Sequence, residues 1–385
     1  MPRAIAASLA LLLSLTLAAR TVKAAASPDS VQKHVSRPSV GAGPTFAVLA
    51  YDSASGSWGV ACAASEIACG ARIPAAAAGV GAIASLGMGS SAMQAALAAL
   101  AANSGPDSAL AVLKAAAEDP NARQVLVVSR DGRAGGASGS RLPGFSGLRL
   151  QHGHGCAGFG LRSEATLAAM EEALQGGSGE IGSRLLEALQ AGERAEVIPF
   201  GRHGGASAAM LVVRAGADGA SGSDRLVDLR VDEGEDPIGA LARLYQRHAE
   251  TFLPAAHVRF GDAARRRGDD AAAAREYHAA EAGFRGAVAR TPKDADALNE
   301  LAWFLATRGG DPVEALRFAE AAVLARRDDP NLLDTLAEAA YRAGNLERAI
   351  DAAERAERFA RGNARYEERL RAFRAAKAAL VPASR

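Results

Sequence analysis

The sequence predicts two folded parts in series: a layered α/β domain of largely antiparallel strands with helices outside, then an all-α domain of repeated helix pairs. Three observations carry this. Before residue 250, apolar runs of strand length alternate with pairs of helical stretches in an order that strict βαβ alternation does not produce. From Ala255 onward strand signals vanish and Ala, Arg, Leu and Glu take over. Within that second part, Leu301-Ala302 recurs as Leu336-Ala337 and Ala315 as Ala349, spacings of 35 and 34 residues.

Arg3 and the apolar run to Ala19 have the charge and hydrophobicity of a secretory leader. The run is shorter than the roughly 20 residues that span a bilayer, which argues against an uncleaved anchor. Ala24-Ala25-Ala26 forms a small-residue cleavage site, so residues 1–26 are expected to be a signal peptide on an exported, periplasmic or extracellular protein. Residues 27–44, with Pro28, Pro38, Gly41, Gly43 and Pro44, form a linker.

The α/β domain is expected over 45–250. Thr45–Tyr51 and Trp58–Ala64 are apolar and flank the turn formers Asp52–Ser57, which predicts a β-hairpin. Val80–Leu86, Gln124–Ser129, Ala206–Val213 and Leu226–Val231 are further strands. Helix pairs are expected at Ser91–Ala102 with Asp107–Glu118, and at Ser163–Leu174 with Glu180–Gln190, Ser163 acting as an N-cap.

The helical repeats are expected over 255–380. Leu333, Leu336, Ala337, Gly344, Leu346 and Ala349 give one unit: small residues let two helices nest, and Gly344 permits the tight turn between them. This unit resembles the tetratricopeptide repeat. A more divergent copy runs from Phe260-Gly261 through Gly268 to Pro292, and Gly309-Gly310-Asp311-Pro312 and Gly344-Asn345 interrupt the heptads a coiled coil would need.

Composition excludes several functions. A net charge of +1 and 5% aromatic residues give no footprint for nucleic acid, while 49% hydrophobic residues suit a packed core. Cys62, Cys69 and Cys156 lack zinc-finger spacing and are read as buried; one pair can bridge, and Cys62 with Cys69 is the closest in sequence. Gly87-Met88-Gly89-Ser90-Ser91-Ala92 matches a phosphate-cradling loop, yet no acidic residue ends the next strand, so packing is the better reading. His152 and His154 lack a third ligand and are read as exposed loop residues. No cofactor or metal is expected. No G-x-S-x-G elbow is present. Thr45, at the start of the first strand behind a dispensable linker, is the candidate nucleophile: if the chain were cut before it, the freed amine can act as base for its own hydroxyl.

Thr45–Asp52, Gly59–Ser65, Ala78–Ala82, Gly205–Val213, Asp228-Leu229-Arg230-Val231-Asp232 and Asp236-Pro237-Ile238 together resemble the domain-of-unknown-function family 1028, in order and spacing from Thr45 to about Leu244. The resemblance implies a four-layer αββα sandwich like that of N-terminal-nucleophile (Ntn) hydrolases. It places the nucleophile at Thr45, a supporting serine at Ser65, and at Gly158 a glycine before an oxyanion-binding asparagine. The chain departs from that pattern at Phe159, Glu66 and Ser85-Leu86, where the family carries an asparagine, a basic residue and a Thr-Gln pair. Two functions follow. One is an exported Ntn-type amidohydrolase acting on an amide. The other is a catalytically inactive Ntn-like domain in a protein-interaction scaffold. In either, the repeats bind a protein or peptide partner, with no nucleic acid and no integral membrane association once the leader is removed.

Overall fold

The computed structural model describes residues 43–87, 92–103, 105–196, 206–216 and 223–380. The first hairpin forms as expected, from β1 (Thr45–Asp52) and β2 (Ser57–Ala64), paired from Thr45↔Ala64 to Asp52↔Ser57. Asp52 starts the turn by accepting the Ser55 hydroxyl and the Ala54 amide. The short strand β3 (Pro74–Ala77) precedes β4 (Gly81–Leu86), helices α1 (Met93–Asn103) and α2 (Pro106–Ala115) follow, and then β5 (Gln124–Ser129).

Three strands come next that the sequence does not announce: β6 (Ala134–Ser138), β7 (Phe145–Gln151) and β8 (His154–Leu161). Helices α3 (Ala165–Gly176) and α4 (Ile181–Glu196) then lead to β9 (Ala206–Ala215), β10 (Ser223–Gly234) and α5 (Pro237–Thr251). The Asp236-Pro237 pair is a helix start: the Asp236 carboxylate accepts the Gly239 amide at 2.9 Å and proline takes the first helical position. Ser163 does not cap α3. Glu164 holds that position without a side-chain bond, and the Ser163 hydroxyl accepts only the Ala165 amide. Of the phosphate-loop candidate Gly87–Ala92, residues 88–91 lie outside the described residues.

The strands form two antiparallel sheets, one ordered β10-β9-β2-β1-β8-β7 and one ordered β3-β4-β5-β6. Three apolar clusters separate four layers. Phe46, Val48, Met170 and Leu185 fill the space between the larger sheet and α3–α5. Ala47, Leu49, Val60, Leu126 and Phe159 lie between the sheets, and Ile83, Val127, Leu100 and Leu113 join the smaller sheet to α1 and α2. Alternation along β1 sends Phe46 outward and Ala47 inward, as period-2 geometry requires. The result is an αββα sandwich.

The chain continues as α6 (Leu253–Arg266), α7 (Asp270–Arg290), α8 (Ala295–Arg308), α9 (Pro312–Ala325), α10 (Pro330–Arg342), α11 (Leu346–Phe359) and α12 (Ala364–Leu380). Asp269, Asp294, Asp311, Asp329 and Asn345 cap five successive helices by accepting a backbone amide two or three residues on. Gly309 and Gly344 take left-handed φ of 94° and 78° at the turns. The repeated Leu301-Ala302 and Leu336-Ala337 are buried at matching places in α8 and α10, with Ala315 and Ala349 facing them from α9 and α11. Helix pairs therefore stack as in tetratricopeptide repeats. Both parts of the chain belong to one compact unit.

Candidate functional site

β1 places Thr45 at the edge of the inter-sheet space. It is 6% exposed, and by the alternation along β1 its side chain shares the inner face with Ala47 and Leu49. Directly opposite on β8 stands Phe159, 1% exposed and also facing inward. Ser65 follows β2 and turns back on the chain entering β1: its backbone N–H and its hydroxyl both donate to the Pro44 carbonyl, each at 3.1 Å. The carbonyl of the Pro44–Thr45 bond thus sits between two donors.

Gly158 pairs with Phe46 on the outward face of β8, the face opposite Phe159. A Cβ there would lie 2.8 Å from Leu161 Cδ1, 3.0 Å from Phe46 Cβ and 3.1 Å from the Thr45 carbonyl oxygen, so close strand packing accounts for this glycine. The structure brings Thr45 and Ser65 together through Pro44. Beside them it sets an aromatic ring that donates no hydrogen bond.

The other departures have structural places too. Leu86 fills the inter-sheet core and Ser85 is buried. Gln124, opposite Leu86 and fully buried, donates through Nε2 to the Gly147 carbonyl at 2.9 Å and the Ser138 hydroxyl at 3.2 Å. Nothing in its apolar strand marks it as a polar residue of the interior. Glu66 pairs with Arg72 at 3.4 Å, and its carbonyl accepts the Ser207 hydroxyl at 2.5 Å. His152 is exposed in the β7–β8 turn. His154 is not, because it opens β8, half-buried beside Gln175. Among the described residues no three His, Cys, Asp or Glu side chains gather as a metal ion would need.

Four cavities among the described residues are lined without Thr45, Ser65 or Gly158. One, of about 600 Å³, lies where α6 and α7 meet the sandwich, lined by Asp52, Ser55, Ile181, Tyr245, Leu253 and His278. A charged cluster closes its wall. Arg214 of β9 binds Glu276 of α7 at 2.7 Å and stacks over Phe260 at 3.9 Å. His257 of α6 meets Glu276 at 2.8 Å through Nδ1 and Glu180 at 2.5 Å through Nε2.

Burial works against a charged His257, but the hydrogen bonds and charges of the two glutamates outweigh it and raise its pKa from 6.5 to about 9. Glu276 is lowered: burial opposes its charge, and His257 and Arg214 override that. A raised histidine pKa means the imidazolium stabilises fully below its unfolded value, and that contribution is lost as pH rises through the folded value. Wild-type stability in urea should therefore fall by about 3 kcal/mol between pH 6.5 and pH 9, and a His257→Gln chain should lack that fall. An unchanged slope in the variant would remove the cluster from the account.

The family model for DUF1028, a family of unknown function, matches residues 45–241, just over half of the chain. The chain belongs to DUF1028. A crystal structure of a DUF1028 protein from Silicibacter pomeroyi is similar over 58% of this chain and 94% of its own, at 29% identity and a TM-score of 0.48. The crystal structure of MamA protein is similar over 32% of this chain and 64% of its own, at 18% identity and a TM-score of 0.25. A MamA double mutant covers 37% and 74%, at 23% identity and a TM-score of 0.27. Among curated proteins none matches. The DUF1028 match begins at Thr45, the residue that opens β1, and ends at Leu241 within α5. The helical repeats lie beyond it.

Proposed function

We propose that this DUF1028 protein is a protein-interaction scaffold whose repeats hold a peptide segment of a partner. Trp303 carries the reading. It is half-buried on α8 and lines a cavity of about 240 Å³ with Val258, Arg259, Glu300 and Phe304. Arg365 and Arg369 of α12 lie over its ring at 5.9 and 5.4 Å. Alternate helices are joined around it: Arg308 of α8 binds Asp262 of α6 at 2.8 Å, and Arg369 of α12 binds Asp334 of α10 at 2.6 Å. A tryptophan among arginines held in fixed pairs is the composition of a binding hot spot, with apolar area at the centre and oriented donors around it. The segment bound is one with an apolar anchor that enters the cavity beside Trp303.

A photo-crosslinking residue in place of Glu300 tests this in the native host. A defined protein adduct that disappears in a Trp303→Ala chain of unchanged helical circular dichroism is expected. An adduct indifferent to that substitution contradicts the reading.

The Ser65 contacts support a second reading, an Ntn-type amidohydrolase. Two donors on the Pro44 carbonyl polarise the bond that must break to free the Thr45 amine. In that reading Thr45 attacks an amide of the substrate and Ser65 supports the site, while Gly158 precedes the position from which the family's asparagine would bind the oxyanion. Phe159 opposite Thr45 weighs against it. The leader-like residues 1–26 support export in both readings.

A further inference from the structure

We propose that the turn after β2 is built to hold a disulfide between Cys62 and Cys69. All three cysteines are free thiols here, and all are buried. Cys62 and Cys69 face each other with 3.7 Å between sulfurs, a contact distance that small side-chain rotations close to a bond.

The chain goes to some length to bring them together. Ala68 has a φ of 56°, left-handed and the sole such non-glycine residue among those described, and this reverses the backbone immediately before the 3-10 turn Cys69–Ala71. Three long-range bonds hold the reversal. The Ala68 amide donates to the Asp232 carbonyl at 2.8 Å, the Cys69 amide donates to the Ser207 hydroxyl at 3.0 Å, and that hydroxyl donates to the Glu66 carbonyl. A strained residue fixed from β9 and β10 persists because its surroundings over-determine it. Its effect is to return Cys69 onto β2.

The pair is also chemically unequal. The Cys62 thiol is pushed well up, first by its hydrogen bond to Cys69 and then by burial. Cys69, which accepts that bond and the influence of Ser207 and Arg72, is lowered. Both sulfurs are buried in the folded chain, so the exchange takes place as the chain folds. The thiolate of one cysteine, taken as Cys69, displaces one thiolate from a small disulfide oxidant such as glutathione disulfide, giving a mixed disulfide. Cys62 then loses its proton and attacks Cys69 Sγ, forming the Cys62–Cys69 bond and expelling the second thiolate. The two protons released by the cysteines leave on the two reduced thiols, so the pair is oxidised by two electrons and the oxidant reduced by two. The ring so closed contains Ser65, and fixes it against the Pro44 carbonyl.

The full chain refolded with glutathione disulfide, then alkylated and digested without reductant, should yield one peptide pair joined through Cys62 and Cys69, with Cys156 alkylated. The oxidised protein should unfold roughly 5–10 °C above the dithiothreitol-treated one, as closing a short ring predicts. That difference should be absent from Cys62→Ala and from Cys69→Ala. Both thiols alkylated, a bridge to Cys156, or a joined pair that unfolds at or below the reduced temperature each overturns the proposal. The peptide map needs only the wild-type chain, so it decides even if neither variant folds.

Discussion

Replacing Glu276 with alanine should destabilise the folded chain by about 3–5 kcal/mol, because it strips the shared partner from the buried His257 and the half-buried Arg214. Arg214 loses both of its carboxylate contacts, at 2.7 and 3.2 Å, and His257 keeps only Glu180. Each of these groups belongs to a different element, β9, α6 and the approach to α4, so the loss falls on the junction between sandwich and repeats. Glu276→Gln, which keeps the shape and an acceptor, should cost less than the alanine. Urea titration at pH 7 measures both. A loss below about 1 kcal/mol for the alanine, the range of an exposed ion pair, would mean that water already shields the cluster.

Phe159→Ala should cost about 3–5 kcal/mol, the usual loss for truncating a fully buried aromatic residue. Phe159 is among the largest fully buried side chains and packs between the sheets with Leu49 and Leu126. A loss of this size means the residue opposite Thr45 has been taken over by the core. Differential scanning calorimetry against Phe159→Leu separates lost volume from lost ring contacts. A change under about 1 kcal/mol for the alanine would show the position to be slack, with room for a substrate.

Much of the fold was legible because residue type and period agree. β1, β2 and β5 are apolar runs bounded by turn formers, and Leu301 and Leu336 recur with the repeat. β6 to β8 were hidden by glycine. Gly147, Gly155 and Gly158 leave no apolar alternation; a Cβ at Gly158 would come within 2.8 Å of Leu161 and 3.1 Å of the Thr45 carbonyl oxygen, and at Gly147 and Gly155 neighbours would have to give way. β3 is four residues of proline and alanine, too short and too plain to register. The placement of Ser65 beside Pro44 follows from the hairpin register, in which Thr45 lies opposite Ala64, a register that the apolar runs and turn formers alone do not fix. The Arg214–Glu276 contact spans 62 residues and two domains, and no local pattern encodes it.

The N-terminal residue of the mature protein bears most directly on whether this chain is a scaffold or a hydrolase. Edman sequencing of protein purified from its native host, with Thr45→Ala alongside, reads it. The scaffold account predicts that Pro44–Thr45 stays intact, so that wild type and variant begin at the same residue before Thr45. A wild-type chain beginning at Thr45, with the variant uncut, would contradict it and assign the site to amide chemistry.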